Sequence, residues 1–571
     1  MCGIFATLSR SLDAVKVTLS HLKQLEYRGY DSAGIGVLHD KQFIISKNVG
    51  ATDQLHVDHL PDHSNTAISH VRWATHGVVN TKNAHPHLGN EACIVHNGII
   101  ENHHELIQSY QLKPKSDTDS EVIVLLYEQL KTLGKSPLET LKHTVSLLKG
   151  SWAIVLIDKT LPETLLIAVN KSPLVLGTCE DSYFVASDPH ALAHCAKQVH
   201  YVNDHQVLQI SLQSQTVLDE LKWQALPVNT SNTSLEMDFY LTQEIYEQPL
   251  VLQRCLKEVL PELSKPQQIV FVASGSSYHS ALMAAINFEA IANIPCRVFL
   301  SSELKYMKIS WQSNTVLIAL SQSGETADTL EAVRHWKHDA FYVLSICNVM
   351  ESSLTRLTQY SIVTPAGPEV SVGATKTVSS AAFQLHRLAF QWANIEKPLD
   401  FEKNIAHTKL ALTLHNSIKK LAQRFVDCEH LYVLGRGCFY PVVMEFALKV
   451  KELCYLHAEA FSTGELKHGP LALIEDGTQI IFLCFKKLNF EKTLSNIEEV
   501  LARGGEATII TDTSLPIMTR PVNTLKLPFE IEENDVYGVL TCLQLFSLEL
   551  AIAKGINPDR PRNLAKCVTV E

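Results

Sequence analysis

The chain opens with MCGIF at residues 1–5, which places a cysteine where removal of the initiator methionine would make it N-terminal. A free α-amino group has a pKa near ~8, against ~10.4 for a lysine amine, so it can take a proton from the adjacent thiol. One residue then supplies both a nucleophile and its base, as an N-terminal threonine does in other enzymes. A lone cysteine near a terminus is usually an ordinary small hydrophobe, but Cys2 is accompanied by further motifs. The stretch therefore predicts a domain built around an N-terminal nucleophile.

Three later segments carry the residues that would serve such a nucleophile. They are HVRWATHG at 70–77, NAHPH at 83–87 and HNGIIEN at 96–102. Together with Cys2 they resemble the N-terminal-nucleophile glutamine amidotransferases, and YRGYDSAG at 27–34 is a further segment of that family. The resemblance implies that this part of the chain releases ammonia from glutamine at Cys2.

The expected roles follow from the residue types at the family's positions. The side-chain amide of Asn97 and the backbone N–H of Gly98 are donors of the kind that stabilises a tetrahedral oxyanion. Arg72 can hold the substrate carboxylate with two parallel hydrogen bonds, and Asp119 can pair with the α-ammonium group. Taken singly, an Asn-Gly pair is typical of a turn, and a lone arginine of a solvated surface. We also assign glutamine binding to the residues that follow Arg72 in the motif: Trp73, Thr75 and His76.

The histidines of these motifs raise the alternative of a metal site. His85 with His87, or His103 with His104, could ligate zinc, but no cysteine or carboxylate stands at a recognised spacing from them. Since the proposed chemistry already has a nucleophile, we expect no metal.

Composition limits the class of protein. The 571 residues give room for three or four domains, and a hydrophobic content of 46% is that of a globular protein. A net charge of −11 and a pI of about 6.2 argue against binding to nucleic acid or a membrane surface. Thirteen cysteines without CxxC pairs indicate reduced thiols. No apolar run approaches the ~18 residues of a membrane span, and no secretory signal is evident, so we expect a cytoplasmic protein.

The hydrophobic pattern changes along the chain. Up to about residue 215, short β-type runs separated by polar turns predict an α+β domain of stacked antiparallel strands. Beyond a polar linker around residues 228–234, apolar strands run into small-residue loops and then helices, as in IVFVASGSS at 269–277 and VLIALSQSGET at 316–326. LYVLGRG at 431–437 echoes the first of these units. The pattern predicts two tandem doubly wound α/β domains.

Two serine-rich turns in the second part suit a phosphate. Ser321 to Thr326 closes a strand and opens a helix, whose free N–H groups and positive dipole end attract anions. One such turn is weak evidence, but residues 274–277 form a second. The pair resembles the sugar isomerase (SIS) domain, and the repeat near residue 434 fits a tandem arrangement.

Three more segments carry candidate acid–base groups. Lys449 and Glu452 are three residues apart on a predicted helix with apolar neighbours, although such a pair is often a surface ion pair. His468 lies in a Gly/Pro-bounded loop, and its near-neutral pKa suits the opening of a sugar ring. Lys566 lies in a tail apolar enough to dock, and a lysine there can form a Schiff base with a ketose.

Over its whole length, the chain is similar to the isomerising glutamine–fructose-6-phosphate aminotransferase family. The resemblance implies that ammonia released at Cys2 is channelled to fructose 6-phosphate to give glucosamine 6-phosphate and glutamate, the first step towards UDP-N-acetylglucosamine. It implies that Lys566 forms an imine with C2, that Glu452 with Lys449 moves a proton between C1 and C2, and that Trp73 gates the ammonia passage. It places His468 in the neighbouring subunit of a homodimer, and it requires no cofactor. The residues it assigns to the sugar phosphate are Ser276, Ser277, Ser321, Gln322, Ser323, Thr326 and Val372.

The predicted organisation has five parts. They are the α+β glutaminase domain at 1–215, a linker at 216–240, SIS domains at 241–395 and 396–560, and an active-site tail at 561–571. Two residues depart from the family pattern, Ala374 where relatives commonly carry serine and Ser274 where many carry cysteine. We expect these departures to affect affinity more than activity.

Other readings of the same motifs are disfavoured by what the sequence lacks. Asparagine synthetase and amidophosphoribosyltransferase share the N-terminal domain, but neither an ATP-pyrophosphatase loop nor an acidic pyrophosphate motif is present. A non-catalytic sugar-phosphate sensor would need none of Cys2, Glu452, His468 and Lys566.

Overall fold

The computed structural model describes residues 2–213, 220–226, 237–395 and 398–569. The chain divides into two compact units, one of residues 1–228 with 565–571 and the other of residues 229–564. The predicted linker sequence at 228–234 lies outside the described residues. A short strand at Gln224–Ala225 pairs with Gln198–Tyr201 inside the first unit. The domain boundaries given above stay a prediction.

Two antiparallel sheets form the centre of the first unit. Within the described residues, one sheet has eight strands, in the order Gln224–Ala225, Gln198–Tyr201, Val175–Cys179, Ser182–Ala186, Gly3–Ser9, Thr66–Arg72, Ser32–His39 and Gln42–Val49. The other has five, in the order Val207–Ser211, Thr164–Asn170, Gly150–Asp158, Ala92–Ile100 and His87–Leu88. Their inner faces share one apolar core, which contains Ile4, Ile68, Val95 and Val155. This is the packing expected of alternating residues in stacked sheets.

Helices cover the outer faces of both sheets. The helix Ala14–Gln24 packs on the eight-stranded sheet, where Leu22 meets Phe5 and Val71. On the other side the helices are His103–Tyr110, Asp119–Lys131 and Pro137–Leu147. The last of these begins with a capping box, in which the Ser136 side chain accepts from the Glu139 backbone and the Glu139 side chain from the Ser136 backbone. The unit is therefore a four-layer α+β fold, which confirms the predicted class.

Two parallel sheets organise the second unit. The first has the order Cys296–Leu300, Gln268–Ala273, Thr315–Ser321, Val343–Cys347 and Tyr360–Val363. The second has the order His457–Ser462, His430–Gly435, Gln479–Leu483, Glu506–Thr511 and Asn523–Lys526. Numbered along each half, both orders read 2-1-3-4-5, so the sequence repeat corresponds to a repeated topology. The predicted tandem α/β architecture is confirmed.

The helices of the second unit flank these sheets. They are Tyr240–Lys257, Gly275–Ala292, Ser301–Leu304, Ala327–Trp336, Ser353–Leu357, Lys376–Ala393, Pro398–Leu412, His415–Ala422, Tyr440–Cys454, Phe490–Leu501 and Tyr537–Ala553. The apolar helix Tyr537–Ala553 is buried along almost its whole length and packs in a core that also contains Phe383 and Phe446. No helix of the described ranges is both long and apolar enough to span a membrane.

Candidate functional site

In the first unit, strand alternation brings three predicted residues to one end of the inter-sheet layer. Cys2 precedes the strand Gly3–Ser9, in which every second residue from Ile4 faces the shared core. The antiparallel register pairs Gly3 with Val71, so Cys2 lies beside Arg72. Asn97 follows the core residues Cys93 and Val95 on the other sheet at steps of two, so it approaches from the opposite side.

The thiol and the carbonyl of Cys2 are held by separate groups. The Trp73 backbone N–H donates to Sγ at 3.4 Å, a contact that suits a thiolate. The Cys2 carbonyl accepts from Nε of Arg28 at 3.2 Å and from Nδ2 of Asn97 at 3.1 Å. Arg28 is fixed in turn by an ion pair with Asp188 at 2.8 Å. The nucleophile and the amide predicted to stabilise its oxyanion are therefore neighbours.

Two glycines permit the close backbone approaches of this site. A Cβ at Gly29 would lie 2.6 Å from the Arg72 carbonyl carbon and 2.7 Å from the Trp73 nitrogen. Gly98 has φ +137°, and a Cβ there would lie 2.1 Å from the Ser151 carbonyl oxygen. The YRG segment at 27–29 thus supports the residues beside the nucleophile, and position 98 accepts only glycine.

Arg72 is buried with part of its guanidinium unused. Its Nη2 donates to the carbonyl oxygens of His76 and, at 3.4 Å, of Gly77. Its Nη1 is buried and has no hydrogen-bond partner among the described residues. Burial lowers the pKa of Arg72, and the nearby acidic side chains of Cys2, Asp31 and Asp119 act against that shift. A buried, unpaired guanidinium nitrogen suits the carboxylate of a substrate.

The other glutamine-site residues differ in burial. Asp119 is buried at the start of its helix, and its Oδ2 accepts from the Ile100 backbone N–H at 2.7 Å. Trp73 and His76 are half-buried, and Thr75 is exposed, in the loop that follows the strand of Arg72. The side chains of Thr75, His76 and Trp73 are therefore more accessible than those of Arg72 and Asp119.

The histidines form a buried cluster next to this site. The rings of His70 and His85 stack at 4.0 Å, and that of His87 meets His85 edge-on at 4.5 Å. Burial lowers the pKa of His85 and His87 well below the usual range, so both rings are neutral at neutral pH. Across the described ranges, no group of three or more His, Cys, Asp or Glu side chains is arranged to hold a metal ion.

In the second unit, a pocket opens at the carboxyl ends of the first parallel sheet. In the order 2-1-3-4-5 the strands Gln268–Ala273 and Thr315–Ser321 are neighbours at the switch point, where open α/β sheets bind ligands. Four predicted sugar-phosphate residues line this pocket: Ser276, Ser277, Ser321 and Gln322. The sequence analysis did not identify three other polar residues of the lining, Asn348, Thr364 and Thr377. The remaining predicted residues, Ser323, Thr326 and Val372, are not among the lining residues.

The second serine-rich turn is organised by its own hydroxyls. The Ser321 hydroxyl lies 2.8 Å from that of Thr326 and accepts from the Gly324 N–H at 3.0 Å. Gly324 has φ +69°, and a Cβ there would lie 2.0 Å from the Ser352 hydroxyl oxygen. Thr326 is the N-cap of the helix Ala327–Trp336. The turn therefore presents a helix N-terminus beside the pocket.

A buried carboxylate that sequence reasoning missed links the two halves of this unit. Glu445 accepts from the Ser276 hydroxyl at 2.9 Å and from Nδ1 of His279 at 2.7 Å. Its side chain is fully buried, and its Oε1 lies 3.6 Å from Nζ of Lys449. Burial raises the pKa of Glu445, but Lys449 and the hydrogen bonds outweigh that effect and hold the pKa below its usual value. Here the Ser276 hydroxyl, predicted to contact phosphate, is bonded to Glu445.

Lys449 and Glu452 are paired as their spacing predicts. Nζ of Lys449 donates to Oε2 of Glu452 on the helix Tyr440–Cys454. Burial lowers the pKa of Lys449, but the carboxylates of Glu452 and Glu445 outweigh it and raise the pKa above its ordinary value. Lys449 is fully buried while Glu452 is partly exposed, so the pair is not the surface ion pair that was the alternative. Glu445, four residues before Lys449, could have been found by the same helical spacing.

His468 and Lys566 lie outside this cluster. His468 is exposed in the 3₁₀ helix Glu465–His468. Lys566 is half-buried in the tail, whose neighbours Cys567 and Thr569 are buried, and residue 565 onward groups with the first unit. The tail is therefore docked as predicted, but its lysine belongs to a different compact unit from Glu452.

The two departures from the family pattern are both at the pocket end of the sheet. Ala374 lines the pocket, so it presents a methyl group where a serine would present a hydroxyl. Ser274 is the N-cap of the helix Gly275–Ala292, but its side chain makes no capping hydrogen bond.

Comparison with known proteins agrees with the division of the chain into two units. Residues 70–194 match a glutamine amidotransferase domain, and residues 262–389 and 424–553 each match a SIS domain. The chain is 36% identical to a glutamine–fructose-6-phosphate aminotransferase (isomerizing) of Yersinia pestis and 38% identical to that of Wigglesworthia glossinidia brevipalpis, with full coverage of both chains in each case. The chain belongs to the glutamine–fructose-6-phosphate aminotransferase family.

A solved structure of the same family matches the second unit. It is the C-terminal domain of glucosamine-fructose-6-phosphate aminotransferase from Francisella tularensis, with a TM-score of 0.53 and 33% identity. The match covers 57% of this chain and 99% of that chain. The predicted family and the tandem SIS architecture are thereby confirmed.

Proposed function

We propose that this chain converts fructose 6-phosphate and glutamine to glucosamine 6-phosphate and glutamate. The observation that carries the proposal is the combination of both half-sites in one chain. Cys2 lies beside Arg72 and Asn97 in the first unit. In the second, the pocket residue Ser276 is bonded to Glu445, which lies 3.6 Å from Nζ of Lys449, the partner of Glu452. The full-length relatives carry the name of this reaction.

In the first half-reaction, Cys2 is the nucleophile once Met1 has been removed. Its α-amino group takes the thiol proton, and the thiolate adds to the side-chain amide carbon of glutamine. Asn97 and the Gly98 N–H stabilise the oxyanion, while Arg72 and Asp119 hold the carboxylate and ammonium groups of the substrate. Thr75 and His76 complete the glutamine site. Ammonia leaves, and water releases glutamate from the thioester.

In the second half-reaction, the sugar phosphate binds at the pocket of the first parallel sheet. Its phosphate accepts hydrogen bonds from the serine-rich turns at 274–277 and 321–326 and from the helix N-terminus that Thr326 caps. Val372 is assigned to the sugar site on the family resemblance alone. The ring is opened by His468, and the amine of Lys566 adds to the C2 carbonyl and expels water to form an imine.

Ammonia then replaces the lysine at C2, and a proton moves from C1 to C2. Glu452 carries that proton, because its partly exposed carboxylate is held in place by the buried ammonium group of Lys449. Lys449 is held in place by a second carboxylate as well, that of Glu445. We further propose that the enzyme is a cytoplasmic homodimer in which His468, exposed here, serves the partner's site.

The test is direct. The purified chain is incubated with glutamine and fructose 6-phosphate, and glucosamine 6-phosphate is measured by mass spectrometry. We expect equal amounts of glutamate and glucosamine 6-phosphate. Formation of neither product would contradict the proposal and favour a non-catalytic sugar-phosphate sensor.

A second expectation concerns the coupling of the two half-reactions through Trp73. Its backbone holds the Cys2 thiol, while its side chain is only half-buried. We expect Trp73→Ala to keep most glutamine hydrolysis, because the backbone contact remains, but to lose ammonia to solvent. Glutamate formed would then exceed glucosamine 6-phosphate formed, as measured in one reaction mixture. A ratio that stays at one to one would leave Trp73 with a packing role only.

A further inference from the structure

The orientation of the Asn97 side-chain amide is set by two partners on opposite sides. Its Nδ2 donates to the Cys2 carbonyl at 3.1 Å. Its Oδ1 lies 3.0 Å from Nε2 of His70, which is also 3.1 Å from the His96 carbonyl oxygen. All of these groups belong to the first unit.

The chemistry of the partners leaves one arrangement. A backbone carbonyl can only accept a hydrogen bond, so the His96 carbonyl requires that Nε2 of His70 carry a proton. That N–H can be shared only with an acceptor, which must then be Oδ1 of Asn97. The Nδ2 donor is thereby turned towards Cys2, whose carbonyl is again an acceptor. If the amide of Asn97 were flipped, its NH₂ group would face the Nε2–H donor of His70, and its oxygen would face the carbonyl oxygen of Cys2.

Burial keeps His70 in this form. It is 1% exposed on the strand Thr66–Arg72, two residues before Arg72 on the same inner face. The pKa of His70 is lowered to about 3, chiefly by burial and also by Arg72 and His96, against the opposing effect of the hydrogen bonds to the His96 carbonyl and Asn97. The ring is therefore neutral at neutral pH and has a single N–H, which is the one shared with Asn97.

We propose that His70 is a positioning residue for glutamine hydrolysis, which keeps the amide donor of Asn97 on the Cys2 side, where it donates to the Cys2 carbonyl. The proposal rests on the oxyanion role of Asn97 in the proposed function. Because the donor must be in place before charge develops, an amide free to rotate would lose part of its effect on the transition state. His70 itself touches no substrate atom in this role.

The test is a double-mutant cycle in the full-length protein. His70→Leu removes the donor, and Asn97→Ala removes the amide that it orients. In the wild-type background we expect His70→Leu to lower kcat for glutamine hydrolysis by about 10- to 100-fold, less than or at most equal to the lower end of the roughly 10²- to 10³-fold loss when an oxyanion donor is removed outright. The KM for glutamine should stay within about twofold, because Arg72 and Asp119 still bind the substrate. In the Asn97→Ala background, His70→Leu should have no further effect, to within about twofold.

Two further variants control for structural damage. His85→Leu is the matched control, because His85 is equally buried and stacked on His70 but neither ring nitrogen has a hydrogen-bond partner among the described residues. It should leave kcat unchanged to within about twofold. His70→Gln keeps an N–H donor, so it should recover most of the activity that His70→Leu loses.

The outcomes separate the inference from the proposed function. If Asn97→Ala hydrolyses glutamine normally, the oxyanion role itself is wrong. If Asn97→Ala is impaired but His70→Leu lowers kcat equally in both backgrounds, His70 does not act through Asn97. Equal losses in His70→Gln and His70→Leu, or an equal loss in His85→Leu, would also overturn the inference.

Discussion

Cys2→Ala is expected to lose glutamine hydrolysis by roughly 10⁴-fold or more, which is the order of loss when a covalent nucleophile is removed. The physical reason is that the neighbouring donors stabilise an oxyanion that cannot form without the thiolate. The Trp73 N–H lies 3.4 Å from Sγ and the Asn97 amide 3.1 Å from the Cys2 carbonyl oxygen, and neither group is itself a nucleophile. The measurement is glutamate release from glutamine at saturating concentration.

The matched control for this variant is Cys93→Ala. Cys93 lies on an inner strand of the same unit, but burial raises the pKa of its thiol to about 12, so it stays protonated and inert. Conversion of fructose 6-phosphate to glucose 6-phosphate should survive in both variants, because that step uses only the second site. Glutamine-dependent synthesis that persists in Cys2→Ala, or a mature chain that retains Met1, would contradict the assignment.

The fold was predictable where local pattern and packing agree. Continuous apolar runs such as residues 269–273 are typical of parallel strands buried on both faces, and that run is a central strand here. The sequence repeat near residue 434 likewise corresponds to a second sheet with the same strand order. Strand order itself was not predictable, because it depends on pairings between residues far apart. The strand Gln224–Ala225 was missed inside the predicted linker because two exposed residues carry no periodic signal.

In the candidate sites, too, local motifs were predictable and contacts between distant residues were not. Motifs located Cys2, Arg72 and Asn97, which the structure places together, although their roles stay predictions. The partners that hold such groups were not visible in the sequence. Glu445 meets Ser276 across 169 residues, and His70 meets Asn97 across two sheets. Helical spacing could have linked Glu445 to Lys449, but the contacts of Glu445 with Ser276 and of His70 with Asn97 are tertiary, and no local spacing reveals them.

Lys566→Arg is the second variant with a large expected effect, on the sugar reactions alone. Arginine keeps the positive charge and most of the length, but its guanidinium cannot form an imine with a ketose. We expect both glucosamine 6-phosphate synthesis and conversion of fructose 6-phosphate to glucose 6-phosphate to fall by roughly 10³-fold or more, by analogy with the loss of other covalent catalysts. Glutamine hydrolysis should remain, since Cys2 and its donors are unchanged.

Borohydride trapping identifies the lysine independently of these rates. Reduction of an imine would add the mass of a reduced sugar phosphate to the peptide that contains Lys566, and Lys566→Arg should abolish that addition.

Glu452→Gln is the informative comparison, because it keeps the shape of the side chain but removes the carboxylate that is paired with Lys449. It should still trap the sugar at Lys566, yet fail to exchange the C1 proton of fructose 6-phosphate with solvent. A label on another lysine would show that Lys566 is not the imine-forming residue. Normal solvent exchange in Glu452→Gln would show that the proton is carried by another group, for which the buried carboxylate of Glu445 is the nearest alternative.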